Sequence, residues 1–113
     1  SGALPYYRGV GAVEFALIDG QKIFTNIHYI DSGIDTGRIL SQSTLILNGR
    51  ETLADIYAKI CVQGMLSLVD TIESIMFDDL NGEMQKDENG RQHFLPHPFF
   101  EKLALSHINK TLN

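Results

Sequence analysis

Asp31, Asp35 and Thr36 stand in one short glycine-flanked run, Asp31-Ser32-Gly33-Ile34-Asp35-Thr36-Gly37. A carboxylate in such a loop can accept a proton or orient a histidine. The same residue types also make local turn hydrogen bonds, and composition leaves both readings open. The four histidines are His28, His93, His97 and His107. His28 falls in a strand-like stretch beside Tyr29 and, taken alone, reads as a packed or rim residue. His93 and His97 have the spacing of a helical metal pair, but Pro96 lies between them and disrupts such a helix. Cys61 has no paired cysteine, so no metal site is expected. Gly9-Val10-Gly11 precedes a helical pattern and could offer backbone N–H groups to an anion. A dinucleotide fingerprint needs a small residue where Glu14 stands, and that reading is rejected.

The elements that must hold these residues follow from periodicity. Residues 1–11 read as a loop carrying Pro5 and three glycines. A short helix is predicted over Ala12–Ile18, with Gly20 ending it in the left-handed conformation. Ile23–Ile30 and Ile39–Leu47 are rich in β-branched and aliphatic residues and read as strands, with a hairpin as one arrangement. Apolar side chains on both faces of the first suit a strand covered on both sides. Leu53–Phe77 is the longest helical pattern, capped by Thr52 with Asp55 in an acidic capping box. Its expected buried stripe is Leu53, Ile56, Tyr57, Ile60, Gly64, Leu68, Ile72 and Ile75, widened by Cys61, Met65, Val69 and Met76. Cys61 is expected to be a buried structural thiol. A surface hairpin over Gly82–Phe94 would turn at Asn89-Gly90, and Glu101–Ile108 reads as a short helix.

The chain has 113 residues, a net charge of −5 and 43% hydrophobic residues. That length bounds it to one domain with a modest core. The negative balance argues against non-specific affinity for nucleic acid or an anionic membrane. No apolar run approaches the roughly 18 residues that span a bilayer. A lone cysteine permits no internal disulfide framework, and a reducing cytoplasmic setting is the default expectation.

Three stretches together carry a family likeness. They are Leu4-Pro5-Tyr6-Tyr7-Arg8-Gly9, Phe15-Ala16-Leu17-Ile18-Asp19-Gly20, and the run from Thr25 to Gln42 that contains Gly33-Ile34-Asp35-Thr36-Gly37. In this order and spacing the sequence resembles the 10-formyltetrahydrofolate-dependent formyltransferases. These include methionyl-tRNA, glycinamide ribonucleotide and amino-sugar formyltransferases. The likeness extends from Ser1 to about Leu80. It implies an α/β, partial Rossmann-like domain with a mixed sheet, a long covering helix and a C-terminal hairpin. It further implies that an acceptor amine attacks the formyl carbon of the folate. Asp35 is then the family's catalytic aspartate, which orients a histidine and supports proton removal. Tyr7, Arg8, Gly9, His28, Asp31, Thr36 and Gly37 become candidate substrate- or cofactor-loop positions.

The family pattern also has an Asn-x-His pair whose histidine is separated by four residues from the proline matching Pro5. Those four residues here are Ser1-Gly2-Ala3-Leu4, so the pair is not within this sequence. His28 matches a separate Thr-x-x-His position, near the acceptor. The expectation is therefore the C-terminal part of a formyltransferase catalytic domain over residues 1–113, with little transfer by these residues alone. The acceptor is expected to be a small-molecule amine such as an amino-sugar nucleotide. The −5 charge does not suit tRNA, and Cys61-Val62-Gln63-Gly64-Met65 lacks the Glu-His pair associated with the glycinamide ribonucleotide branch. The competing expectation is a non-enzymatic dimerisation or partner-binding module using an exposed sheet.

Overall fold

The computed structural model describes residues 3–86 and 90–108. Its elements in chain order are β1 (Arg8–Gly9), α1 (Ala12–Ile18), β2 (Phe24–His28), β3 (Ile39–Thr44), α2 (Leu53–Asp78), β4 (Gln92–His93) and α3 (Pro98–Ser106). Helices and both kinds of strand pairing give a mixed α/β architecture. The strands form two separate two-stranded sheets, β1 with β4 in parallel and β2 with β3 antiparallel.

α1 has the predicted bounds. Gly20, at φ +69°, donates its N–H to the Leu17 carbonyl, and Gln21 donates to Ala16. This pairing satisfies the last carbonyls of the helix, and it needs a residue without a Cβ penalty at the left-handed position. β2 and β3 form the hairpin, with Thr25 opposite Ser43 and Asn26 opposite Gln42. β2 is shorter than its predicted strand at both ends, and β3 starts at the predicted Ile39 and ends earlier. Beyond it, Leu45 still donates its N–H to Ile23, and Leu45 and Leu47 turn into the core. The core joins these two leucines to Val13, Ala16, Leu17, Ile23, Ile56, Ala104 and Ile108, so that α1, α3 and the start of α2 close over one apolar centre. Glu14 is buried beside it and accepts a bond from the Tyr57 hydroxyl at 3.0 Å. That bond satisfies a carboxylate that would otherwise be costly to bury.

α2 begins as predicted. Thr52 caps it, and the reciprocal Thr52–Asp55 bonds complete the capping box. Its inward face differs from the predicted stripe. Ile56 and Thr71 are buried, and Ile60, Gln63, Gly64, Ser67 and Ile75 are half-buried between and beyond them. Gln63 bonds Thr25, and Gly64 lies against the Thr25 methyl, so α2 approaches β2 closely there. Leu68, Ile72, Met65, Val69 and Met76 are exposed. Cys61 is also exposed, correcting the expectation of a buried thiol. A helix advances about 100° per residue, so Cys61 is turned away from the face that Ile60 and Gly64 present.

α2 is also long and apolar enough, by length and composition, to cross a membrane. This corrects the expectation that no stretch reaches that limit. Polar residues interrupt the apolar ones and break up any continuous run. In the fold, α2 packs on β2 and β3.

The C-terminal hairpin is not formed between the described arms. Gln92 and His93 pair in parallel with Arg8 and Gly9, and Glu83 bridges Ile39. Asn89 of the expected turn lies outside the described residues. Arg8-Gly9 is therefore a strand pair where a loop was expected, because β4 supplies its partner. α3 starts at Pro98, three residues before the predicted start. Proline is favoured in the first helical turn, and the His97 ring accepts the Phe99 N–H as a cap.

Candidate active site

Asp35 sits on the loop that joins β2 to β3. Its backbone is left-handed, at φ +53°. For a non-glycine residue this costs about 1–2 kcal/mol, and such strain persists only where the surroundings enforce it. Two sets of bonds enforce it here. Oδ2 accepts the Gly9 backbone N–H at 2.8 Å, and the Asp35 carbonyl accepts from Gln85 Nε2, also at 2.8 Å. The side chain stays 38% exposed, so the carboxylate is anchored and still reachable.

His28 closes the other side. The register shifts between Ile27 and His28, so that Ile27 faces Ser41 while His28 faces Ile39. Bulges of this kind re-aim a side chain. Nδ1 of His28 lies 2.8 Å from the Tyr29 carbonyl, which requires the proton on Nδ1. Nε2 then faces Asp35 Oδ1 at 3.6 Å. That distance is an ion-pair contact when the imidazole is protonated and too long for a direct hydrogen bond.

The loop between them is internally braced. Asp31 Oδ1 accepts from the Gly33 N–H and from the Thr36 hydroxyl. The Thr36 bond, with help from Gly33, holds the Asp31 carboxyl below the usual range. Asp31 and Thr36 thus make the local turn. Gly37 packs against the Tyr29 carbonyl with no room for a Cβ. An open cleft of about 520 Å³ borders the loop, lined by Tyr29, Asp31, Thr36, Arg38 and Gln85 among others. A smaller hollow of about 250 Å³ is lined by His28, Tyr29, Asp31 and Asp35 with neighbouring loop residues.

The other candidates separate into two groups. Gly9 reaches Asp35 through its N–H, and its φ of +91° and contact with the His93 carbonyl require glycine. Arg8 points inward, 7% exposed, and donates Nη2 to Gln85 Oε1 at 3.0 Å. Tyr7 turns away from Asp35. Its hydroxyl donates to Asp19 and its ring stacks on His93. Burial, reinforced by the Asp19 carboxylate, pushes the Tyr7 hydroxyl up to about 12. Sequence reasoning missed Gln85. It stands in a polar stretch with no periodicity to mark it. Among the described residues no group of three or more His, Cys, Asp or Glu is placed to hold a metal ion.

The formyl transferase family model matches residues 2–72. The chain is 34% identical over 86 residues to the methionyl-tRNA formyltransferase of Clostridium tetani, covering 75% of this chain and 28% of that protein. It is 30% identical over 111 residues to the bifunctional polymyxin resistance protein ArnA of Wigglesworthia glossinidia brevipalpis, covering 97% of this chain and 16% of that one. Among solved structures, the formyltransferase PseJ of Anoxybacillus kamchatkensis aligns with a TM-score of 0.71 and 25% identity, over 81% of this chain and 48% of that one. That structure holds tetrahydrofolate and UDP-4,6-dideoxy-4-formamido-L-AltNAc. An N-formyltransferase from Helicobacter canadensis shares the fold, with a TM-score of 0.71 at 23% identity, over 94% and 44% of the two chains. The α/β scaffold is thus that of a formyltransferase fold. The chain belongs to the formyltransferase family. It spans under a third of the length of the curated relatives named here.

Proposed function

We propose that this chain contributes Asp35 to formyl transfer from a 10-formyltetrahydrofolate donor to a small-molecule amine, such as that of an amino-sugar nucleotide. The observation that carries the reading is the Asp35 carboxylate, fixed by the Gly9 N–H, faced by His28 and open to solvent. As an amine attacks a formyl carbon, its nitrogen gains positive charge and must lose a proton. Asp35 accepts that proton, directly or through one water. His28 lies within reach of the same carboxylate and stabilises its charge when protonated. When bound, the folate would supply the formyl group: its formyl C–N10 bond would break as the new amine C–N bond forms, and N10 would leave with a proton as tetrahydrofolate. The residues here that fit its reacting end are the polar, partly open loop surfaces around His28 and Asp35.

Family membership and the folate-bearing PseJ structure support the donor. The net charge of −5 and the cleft carrying Arg38 and Tyr29 support a phosphorylated small molecule over tRNA. The 113 residues alone should transfer formyl groups slowly, since the Asn-x-His pair that the family pattern sets before the Pro5 motif is not among them. The test is formyl transfer by the intact protein and its Asp35→Asn variant. An amino-sugar nucleotide and a charged initiator tRNA are compared as acceptors. The expected result is a loss of about 10²-fold or more in kcat and preference for the sugar. An unchanged rate overturns the role of Asp35, and preference for tRNA overturns the acceptor.

A second reading has its own observation. Val62, Met65, Leu66 and Val69 of α2 are each more than half exposed and nearly continuous. A patch of this kind marks a surface that other protein covers. Sedimentation of the purified 113 residues separates the readings, because a non-enzymatic dimerisation module should self-associate and lose that association on Leu66→Lys. A monomer at all concentrations overturns it.

A further inference from the structure

Asp35 is held from two sides, and one residue outside the matched motifs supplies half of the hold. Gln85 Nε2 donates to the Asp35 carbonyl at 2.8 Å and to the Gly37 carbonyl at 2.7 Å. Its Oε1 accepts from Arg8 Nη2 at 3.0 Å and lies 3.3 Å from Arg8 Nε. A primary carboxamide has two N–H donors on one atom and an acceptor on the other. Two carbonyls on one side and a guanidinium on the other fix which end is which, since a flipped amide would set oxygen against oxygen.

The consequence is a three-part clamp. Arg8 is nearly buried, with Gly90 close beside its guanidinium and Gln85 accepting from it. Gln85 links Arg8 to the main chain of the catalytic loop, while the next residue, Gly9, binds the Asp35 side chain. The two contacts set the left-handed backbone and the carboxylate direction together.

We propose that Gln85 is a positioning residue for Asp35, tying the carboxylate's placement to Arg8. This rests on the reading of Asp35 as the proton acceptor. Glutamate and methionine match glutamine closely in length, and neither can donate to the two carbonyls. Glutamate still accepts from Arg8.

The test follows the Gly9 amide by NMR in the intact protein, labelled with 15N-glycine, and measures formyl transfer beside it. In Gln85→Met the Gly9 resonance should move toward its position in Asp35→Asn, and its exchange with solvent should quicken by about 10-fold. The kcat should fall about 10–100-fold, with KM within about twofold, as expected for a displaced catalytic group. Gln85→Glu should move Gly9 in the same way although its contact with Arg8 persists. It also serves if the methionine variant does not fold. A native Gly9 signal in either folded variant overturns the positioning role, whatever the rates. A displaced Gly9 with unchanged kcat overturns it as well. Normal transfer by Asp35→Asn instead overturns the functional reading on which the inference rests.

Discussion

The backbone N–H of Gly9 donates to Oδ2 of Asp35 at 2.8 Å, joining two motifs that are far apart in sequence. Leu4-Pro5-Tyr6-Tyr7-Arg8-Gly9 and Gly33-Ile34-Asp35-Thr36-Gly37 are therefore two walls of one site. The first motif contributes main chain and the second a carboxylate.

Gly9 itself should tolerate no side chain. Its φ is +91°, and a Cβ would meet the His93 carbonyl across the β1–β4 pair. Gly9→Ala should lower stability by about 1–3 kcal/mol, read from urea unfolding. It should also weaken formyl transfer by shifting the N–H that anchors Asp35. Parent-like stability would show that β1 and β4 are not held so closely.

Glu51 should carry part of the acid stability. Its side chain is only 3% exposed, and burial alone would raise its pKa. The Lys59 ammonium and the Asn48 and Gly49 N–H groups outweigh burial and hold the carboxyl at about 2. A depressed folded value means that the stabilisation is complete above the ordinary value of 4.5 and fades as pH falls toward 2. Glu51→Gln should be less stable than the parent at pH 7, and the difference should shrink steadily below pH 4.5. Unfolding at a series of pH values measures this, and a constant difference would refute it.

His93 should act in the same direction at higher pH. Its ring is stacked between Tyr7 and Phe15, and Nε2 has no hydrogen-bond partner among the described residues. Burial lowers its pKa below 6.5, the Arg91 charge lowers it further, and Asp19 opposes them. The unfolded chain thus takes up this proton first. Stability is full above about 6.5 and declines as pH falls below it. His93→Phe keeps the stack and should remove this part of the pH dependence. A melting profile that keeps its slope just below pH 6.5 would contradict it.

Local pattern located the caps and turns that depend only on near neighbours. Thr52 and Asp55 cap α2 because a hydroxyl and a carboxylate three residues apart satisfy each other's backbone. Gly20 ends α1, and the glycine-rich turn at 31–37 separates two strands, for equally short-range reasons. The formyltransferase likeness, and with it the candidacy of Asp35, was legible because motif residues keep their order along the chain.

Tertiary structure decided what depends on distant partners. Arg8-Gly9 became a strand only because Gln92 and His93 lie beside it. Arg8 turned inward to Gln85, and the Tyr7 hydroxyl bonded Asp19, although other loop roles suited their types equally well. The covered face of α2 runs through Gly64, Ser67 and Thr71, and at Gly64 the close approach of β2 suits a residue without a side chain. Hydrophobic period marks the apolar face of a helix, but which face is covered depends on what packs there. Gln85 carries no local signal at all, since a carboxamide becomes a clamp only when folding brings a guanidinium to one end and two carbonyls to the other.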